Sequence, residues 1–280
     1  MGRDFFRGRR ALITGGSGGI GAAIAGLLVR QGAHVFLTAR RADRLEQTVA
    51  ALRGVARDRD QQIDQAVADV AVAAQVAEAV KSCELRLGPI DLLVNSAGIS
   101  RPGYVEETPL EAFRAQIETN YMGTVHAVQA VLPRMVSRRG GWIVNLSSMA
   151  GLKGVFGYAA YSASKFAVVG YSEVLRVELV RHRIGVTVVC PPDTRTPMLE
   201  GESPLRPYES AYLAARGTVL EPEQVARAAL RGVERRKFLV VTGFESRFLR
   251  RANGLAPGMI DWMFDRMIRA AQRERQQLGR

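Results

Sequence analysis

Short apolar runs alternate with longer amphipathic stretches along most of the chain. The runs are Ala11–Ile13, His34–Leu37, Gln65–Ala68, Ile90–Val94, Trp142–Leu146, Val186–Cys190 and Phe238–Val241. Between most of them lie segments with apolar residues at helical spacing: Gly19–Gln31, Ala42–Ala56, Val72–Leu87, Leu110–Ser137, Tyr161–His182 and Glu221–Arg235. Alternation of this kind predicts parallel strands joined by crossover helices. The runs are continuously apolar, as expected of strands covered by helices on both faces. Right-handed crossovers then give a doubly wound α/β sheet of seven strands. No repeat, low-complexity tract or long linker interrupts the pattern. Residues 1–254 are therefore expected to form one domain, with an irregular substrate loop at 191–220, followed by an amphipathic helix at 255–280.

Composition narrows the class. With 280 residues, 47% hydrophobic and 24% charged, the chain can bury one large core. Its two cysteines, Cys83 and Cys190, each sit in an apolar stretch, which speaks for a reducing cytoplasm and against a disulfide framework. His34, His126 and His182 are scattered without metal-ligand spacing, so no metal is expected. The start, MGRDFFRGRRALIT, lacks the apolar core and cleavage site of a signal peptide, and no run of about 20 apolar residues occurs. A net charge of +12 suits phosphorylated cofactors, nucleic acid or anionic lipid, but no nucleic-acid module is visible and no such partner is expected.

The stretch LITGGSGGIG, Leu12 to Gly21, stands between the first predicted strand and the first helix. Glycines there let the backbone approach a pyrophosphate at a helix N-terminus. The candidate contacts are Gly15, Ser17, Gly18, Gly19, Ile20 and Gly21. The second strand ends in Ala39-Arg40-Arg41. An acid there would bind a ribose 2′-hydroxyl; arginines suit a 2′-phosphate, so NADPH/NADP+ is expected over NAD. Arg40 and Arg41 could equally be surface arginines at a helix start. Asp69, with Val70 beside it, follows the third strand and could accept from an adenine amino group. Asn95-Ser96-Ala97-Gly98 closes the fourth with small residues, leaving space at Asn95, Ala97 and Gly98 for the cofactor, or simply making a tight turn.

Tyr161-Ser162-Ala163-Ser164-Lys165 opens a predicted helix, where residues four apart share a face. A phenol titrates at about 10 and is a poor acid–base group at neutral pH. A neighbouring ammonium is expected to lower that value. Tyr158 is a control, since Ser162, not a cation, stands four residues on. Upstream, either Ser148 or Ser147 could hold a carbonyl oxygen, or cap the strand end. Asn120 falls mid-helix, where it could open the helix ladder and hold a water, or face solvent.

Together TGGSGGIG, NSAG, Asn120, Ser148, YSASK and the proline-led loop after the sixth strand resemble the short-chain dehydrogenase/reductase family over residues 8–243. The resemblance implies a Rossmann-type fold, Tyr161 as general acid–base, Lys165 as its pKa-lowering neighbour and ribose ligand, Ser148 as carbonyl orienter and Asn120 as holder of a relay water. The loop Pro191-Pro192-Asp193-Thr194-Arg195-Thr196-Pro197, with ARR and YSASKFA, is similar to that of 3-ketodihydrosphingosine reductases, which reduce a long-chain sphingoid ketone with NADPH. This implies cofactor contacts from Pro191, Thr194 and Thr196. Arg195 stands where an acid is expected, and a cation there would repel an amine-bearing substrate. Reduction of 3-oxoacyl thioesters or steroid ketones is the alternative within the class, and a non-catalytic, redox-sensing NADP-binding protein the alternative outside it. A homodimer or homotetramer pairing through Leu110–Ser137 and Tyr161–His182 is expected by the same resemblance.

In the tail, Met259/Ile260, Met263/Phe264 and Met267/Ile268 recur every four residues beside Trp262, forming one apolar stripe. From Arg247 to Arg280 there are eight arginines and three acids. Such a helix either lies on an anionic leaflet or packs on protein. The expected location is the cytoplasm, with peripheral contact to the cytoplasmic face of a membrane if the stripe meets lipid.

Overall fold

The computed structural model describes residues 5–279. Residues 1–4, in the expected main domain, and residue 280, at the end of the expected tail helix, lie outside the described residues. The strands are β1 (Arg10–Thr14), β2 (His34–Ala39), β3 (Ile63–Val67), β4 (Leu92–Asn95), β5 (Gly141–Leu146), β6 (Ile184–Cys190) and β7 (Leu239–Val241). The helices are α1 (Gly19–Arg30), α2 (Ala42–Arg53), α3 (Ala73–Leu87), α4 (Leu110–Gln116), α5 (Gly123–Arg138), α6 (Ala159–Leu179), α7 (Pro197–Glu202), α8 (Tyr208–Ala214), α9 (Pro222–Glu234), α10 (Phe244–Leu255) and α11 (Pro257–Gln277). All pairings are parallel, in the order β3-β2-β1-β4-β5-β6-β7. The expected doubly wound, seven-stranded Rossmann-type sheet is the one found.

Successive strand residues point to opposite faces. Ile13, Val35, Val94, Val144 and Val189 meet Ile24 and Leu28 of α1, Leu45 of α2 and Leu230 of α9. Their neighbours Leu12, Phe36, Leu93, Ile143 and Val186 meet Val80 of α3, Val131 of α5 and Leu175 of α6. Both alternate sets are apolar because both faces are covered. β3 begins earlier than its apolar run: as an edge strand it pairs only with β2, so polar Asp64 and Gln65 are tolerated.

Three features depart from the expected elements. The helix expected over Leu110–Ser137 is interrupted by a π-helical turn, Ile117–Met122. The loop expected to be irregular over 191–220 contains α7 and α8, with Pro197 in the first turn of α7. An unpredicted helix, α10, follows β7. β1 pairs with β2 on one side and β4 on the other, so the chain reverses its direction of travel across the sheet between them. That switch point, at the C-terminal strand ends, is where open α/β sheets bind ligands.

Candidate active site

One cavity of about 1230 Å³ lies over the C-terminal ends of the strands. Its wall takes residues from the turn after every strand: Gly15, Arg40, Asp69, Ala97, Ser148, Pro191 and Gly243 among them. It also takes Met263, Phe264 and Met267 from α11.

The turn after β1 is set by backbone approach. Gly15 has φ +67°, and a Cβ there would stand 2.6 Å from the Ala97 nitrogen. Ser17, Gly18, Gly19 and Ile20 line the cavity, and Gly18 faces open space. Gly21 does not line it; a Cβ there would meet the Gly15 carbonyl oxygen at 2.5 Å, so this glycine lets α1 start close under the loop. Arg40 and Arg41 are exposed at the mouth, with Arg40 Nη1 4.0 Å from Asp69 Oδ2. Val70, Ala97 and Gly98 line the cavity. Asn95 lies beneath it, donating to Asn145 Oδ1 at 2.8 Å, and Asn145 donates to Ser172 of α6 at 2.9 Å. The wall fits a dinucleotide phosphate chain: a glycine turn at the start of a helix, space where a side chain would intrude, and cations with no acid at the end of β2.

The candidate reactive groups come together at the start of α6 and the end of β5. Tyr161 and Lys165 stand one turn apart on α6, with Nζ 5.6 Å from the phenol ring centroid. Lys165 is buried and donates to the Leu146 carbonyl at 2.9 Å. Both serines line the cavity, and they differ in what their hydroxyls bond. Ser147 is buried and donates to the Lys165 carbonyl at 2.9 Å, clamping β5 to α6. Ser148 lines the cavity, accepts from Ala150 N at 3.1 Å, donates to the Pro191 carbonyl at 3.5 Å and lies close enough to the Tyr161 phenol to favour its phenolate.

The phenol behaves differently from the expectation. Burial, and next the Glu202 charge, push the Tyr161 pKa up; the Ser148 hydroxyl opposes them. Burial lowers that of Lys165 to about 8. The ammonium stands over the ring and spends a hydrogen bond on Leu146, so desolvation of the phenolate dominates. Tyr158, the control, is also raised by burial and Glu202, to which its hydroxyl donates at 3.0 Å.

Asn120 is buried in the π-helical turn and does not line the cavity. Its Nδ2 donates to the Ile99 carbonyl and to Ser164 Oγ, each at 2.9 Å, and Ile99 N donates to its Oδ1 at 2.8 Å. Ser164 in turn donates to the Tyr161 carbonyl at 2.7 Å. The helix ladder is open here, as expected, but the amide is spent on protein.

In the loop after β6, Pro191, Thr194 and Thr196 line the cavity. The Thr194 hydroxyl donates to the Pro192 carbonyl at 3.0 Å. Thr196 caps α7, accepting from Leu199 N at 3.3 Å, and its methyl lies over Gly19. Arg195 points away: it is exposed and donates to Glu221 at 2.9 Å. Arg195 itself therefore does not line the cavity, whose wall in this region carries Asp193, Glu202, Arg206 and Arg216. Glu202 and Arg206 form an i,i+4 acid–base pair in a stretch whose sequence shows no helical periodicity to point to it.

The tail stripe divides between two environments. Ile260 and Ala271 are buried, and Phe264 and Met267 are partly covered. Met259 and Trp262 are exposed, as are Phe244, Phe248 and Leu255 of α10. α11 is tied down by Tyr208–Glu274 and Tyr104–Arg275 hydrogen bonds and by an ion pair between Lys153 and Asp261.

Comparison with known proteins gives consistent matches. The profile of the short chain dehydrogenase family matches residues 9–206. The 3-dehydrosphinganine reductase of Danio rerio is 40% identical over 225 residues, covering 80% of this chain and 68% of that one. The 3-ketodihydrosphingosine reductase of Bos taurus is 36% identical over 252 residues, covering 89% and 76%. Among solved structures, a short chain dehydrogenase/reductase from Burkholderia phymatum in complex with NAD superposes with TM-score 0.80 at 26% identity, covering 91% of this chain and 95% of that one.

Proposed function

The chain belongs to the short chain dehydrogenase family, and from that premise we propose that it reduces 3-ketodihydrosphingosine, a long-chain amino ketone, to the corresponding alcohol with NADPH. It is an oxidoreductase acting on a C=O/CH–OH pair. The observation that carries the proposal is the continuity of the cavity, which joins the glycine turn, the Tyr161–Ser148 pair and an apolar wall from α11 in one space.

A bound reduced nicotinamide would supply the hydride. Gly15, Gly18 and Gly19 would hold its pyrophosphate, Arg40 and Arg41 its 2′-phosphate, and Lys165 its ribose. Tyr161 keeps its proton at neutral pH, the form that can protonate a carbonyl oxygen becoming an alkoxide. Ser148, beside that phenol, would bond the same oxygen as charge develops on it. The Lys165 ammonium, anchored by Leu146, offsets the phenolate left behind. With its amide committed, Asn120 acts by opening the helix, and any relay water would be held by backbone groups. The test is NADPH oxidation measured across a sphingoid ketone, a 3-oxoacyl thioester and a steroid ketone. Preference for either of the last two overturns the substrate assignment.

Two associations accompany this reading. No described helix is long and apolar enough to cross a membrane. The exposed Phe244, Phe248, Leu255 and Trp262, flanked by Arg247, Arg251 and Arg266, would suit contact with an anionic lipid surface beside the cavity. Replacing Phe248 and Trp262 by serine should then weaken binding to anionic vesicles; unchanged binding argues against the contact. The exposed Phe166, Val174 and Val177 on α6 would suit pairing with a second copy, which sedimentation of the wild type tests.

A further inference from the structure

Between Tyr161 and the tail helices the cavity wall carries a charged cluster that the steps above leave unused. Glu202, at the end of α7, is 7% exposed, and Arg206 is 8% exposed along its side chain. Glu202 Oε1 accepts from the Tyr158 hydroxyl at 3.0 Å and from Arg206 Nη2 at 2.8 Å. Arg206 Nη2 also donates to Asp193 Oδ2 at 2.9 Å. Two carboxylates thus share one guanidinium, and the cluster is one cation short of neutral.

The shortage falls inside the cavity. Both hydrogen bonds of Glu202 are on Oε1; no described residue bonds Oε2, and the side chain lines the space. The nearby cations are engaged elsewhere. Arg195 pairs outward with Glu221, Arg216 folds over the Tyr212 ring, and Lys165 donates to Leu146. Asp193 is 39% exposed and is solvated, whereas Glu202 is buried, so it is the Glu202 charge that favours arrival of a counter-charge. The position also matters, because the Tyr158 ring centroid is 6.1 Å from that of Tyr161. Glu202 therefore stands one side chain from the reactive phenol, and its charge is felt there.

We propose that Glu202 is the subsite for an ammonium on the carbon next to the reducible carbonyl, with Tyr158 and Arg206 holding the carboxylate in position. The inference rests on the assignment of an amino ketone substrate. In such a ketone only three bonds separate nitrogen from the carbonyl oxygen. An oxygen at Tyr161 and Ser148 therefore leaves the nitrogen within a few ångströms of it, in the same cavity that Glu202 lines. The alkyl chain then runs toward Met263, Phe264 and Met267. Three attachments of different chemistry fix which carbonyl face is presented; a ketone without the amine has two. If the cluster is only a latch holding α7 in place, amino and plain ketones are treated alike.

The experiment compares kcat/KM for two ketones of equal chain length, the 2-amino-3-ketone and its desamino analogue, in wild type and Glu202→Gln. Glutamine keeps an acceptor for Tyr158 and Arg206 but not the charge. Wild type should prefer the amino ketone by about 10- to 100-fold, the range of one charge-assisted hydrogen bond. Glu202→Gln should bring that ratio close to one. Titration calorimetry with the amino alcohol product should show the same loss of binding without turnover. A ratio unchanged in the variant overturns the proposal. So does a wild type with no preference, a result that needs no variant to fold. A wild type that reduces neither ketone overturns the substrate assignment, and this proposal with it.

Discussion

The two ends of the cavity are built by different means. The end over β1 and β2 is made largely by local backbone: Gly15 at positive φ, Gly18 facing open space, and two arginines directly after β2. The end over β6 and β7 is made by side chains far apart in sequence. Tyr104 donates to Glu209 at 2.7 Å and accepts from Arg275 at 2.7 Å, across separations of 105 and 171 residues. Lys153 reaches Asp261, and Tyr208 reaches Glu274. The first end is set mainly by a short motif packed on Ala97, and such a motif suits one cofactor under many substrate ends. The second depends on packing, and it can change specificity without disturbing the first.

The largest effect should come where the two ends meet. Tyr161→Phe is expected to lower kcat by about 10²- to 10⁴-fold, while NADPH still binds within a few-fold of wild type in a fluorescence titration. Retained turnover would break both the mechanism and the division it bridges. Arg40→Ala should raise KM for NADPH by about 10- to 100-fold, with little change for NADH or for the ketone. Equal losses for the two nucleotides would show that Arg40 does not meet a phosphate.

A third measurement concerns pH. Lys165, held at about 8 by burial, loses its charge as pH rises through that value. Tyr161, raised by burial and Glu202, keeps its proton over the same range. Ketone reduction should therefore stay level up to about pH 7 and decline with an inflection near 8, reporting the lysine and not the phenol. A kcat profile flat through pH 9 would assign no role to the Lys165 charge.

The smallest effect sharpens the substrate end. Arg275→Ala leaves buried Glu209 with Tyr104 alone and should cost about 1–2 kcal/mol, read as a midpoint a few degrees lower in thermal unfolding. It should raise KM for the ketone several-fold through a looser α11, with NADPH affinity unchanged. A loss of NADPH affinity instead would mean that the two ends are coupled.

The sheet was legible because both alternating sets of strand residues are apolar, and covered strands make that pattern wherever they fall. The glycine turn and the Tyr161–Lys165 pair were legible because their geometry is local, one turn or one helical repeat. The helices in 191–220 were not: α7 and α8 are only six and seven residues long and show little periodicity. The direction of the Tyr161 shift was missed for a related reason. Spacing showed the cation, but only the packed wall showed how little water reaches the phenol.

By itself, then, the sequence determined the strand and helix alternation, the glycine turn between β1 and α1 and the placing of Tyr161 and Lys165 one helical turn apart. Each depends on residues within a few positions of one another. Tertiary structure alone decided which serine hydroxyl is spent clamping β5 to α6, that Arg195 turns outward while Glu202 turns in, and that the tail stripe divides between protein and solvent. Those outcomes depend on which distant groups satisfy a buried charge or hydroxyl, and no local pattern encodes the partner.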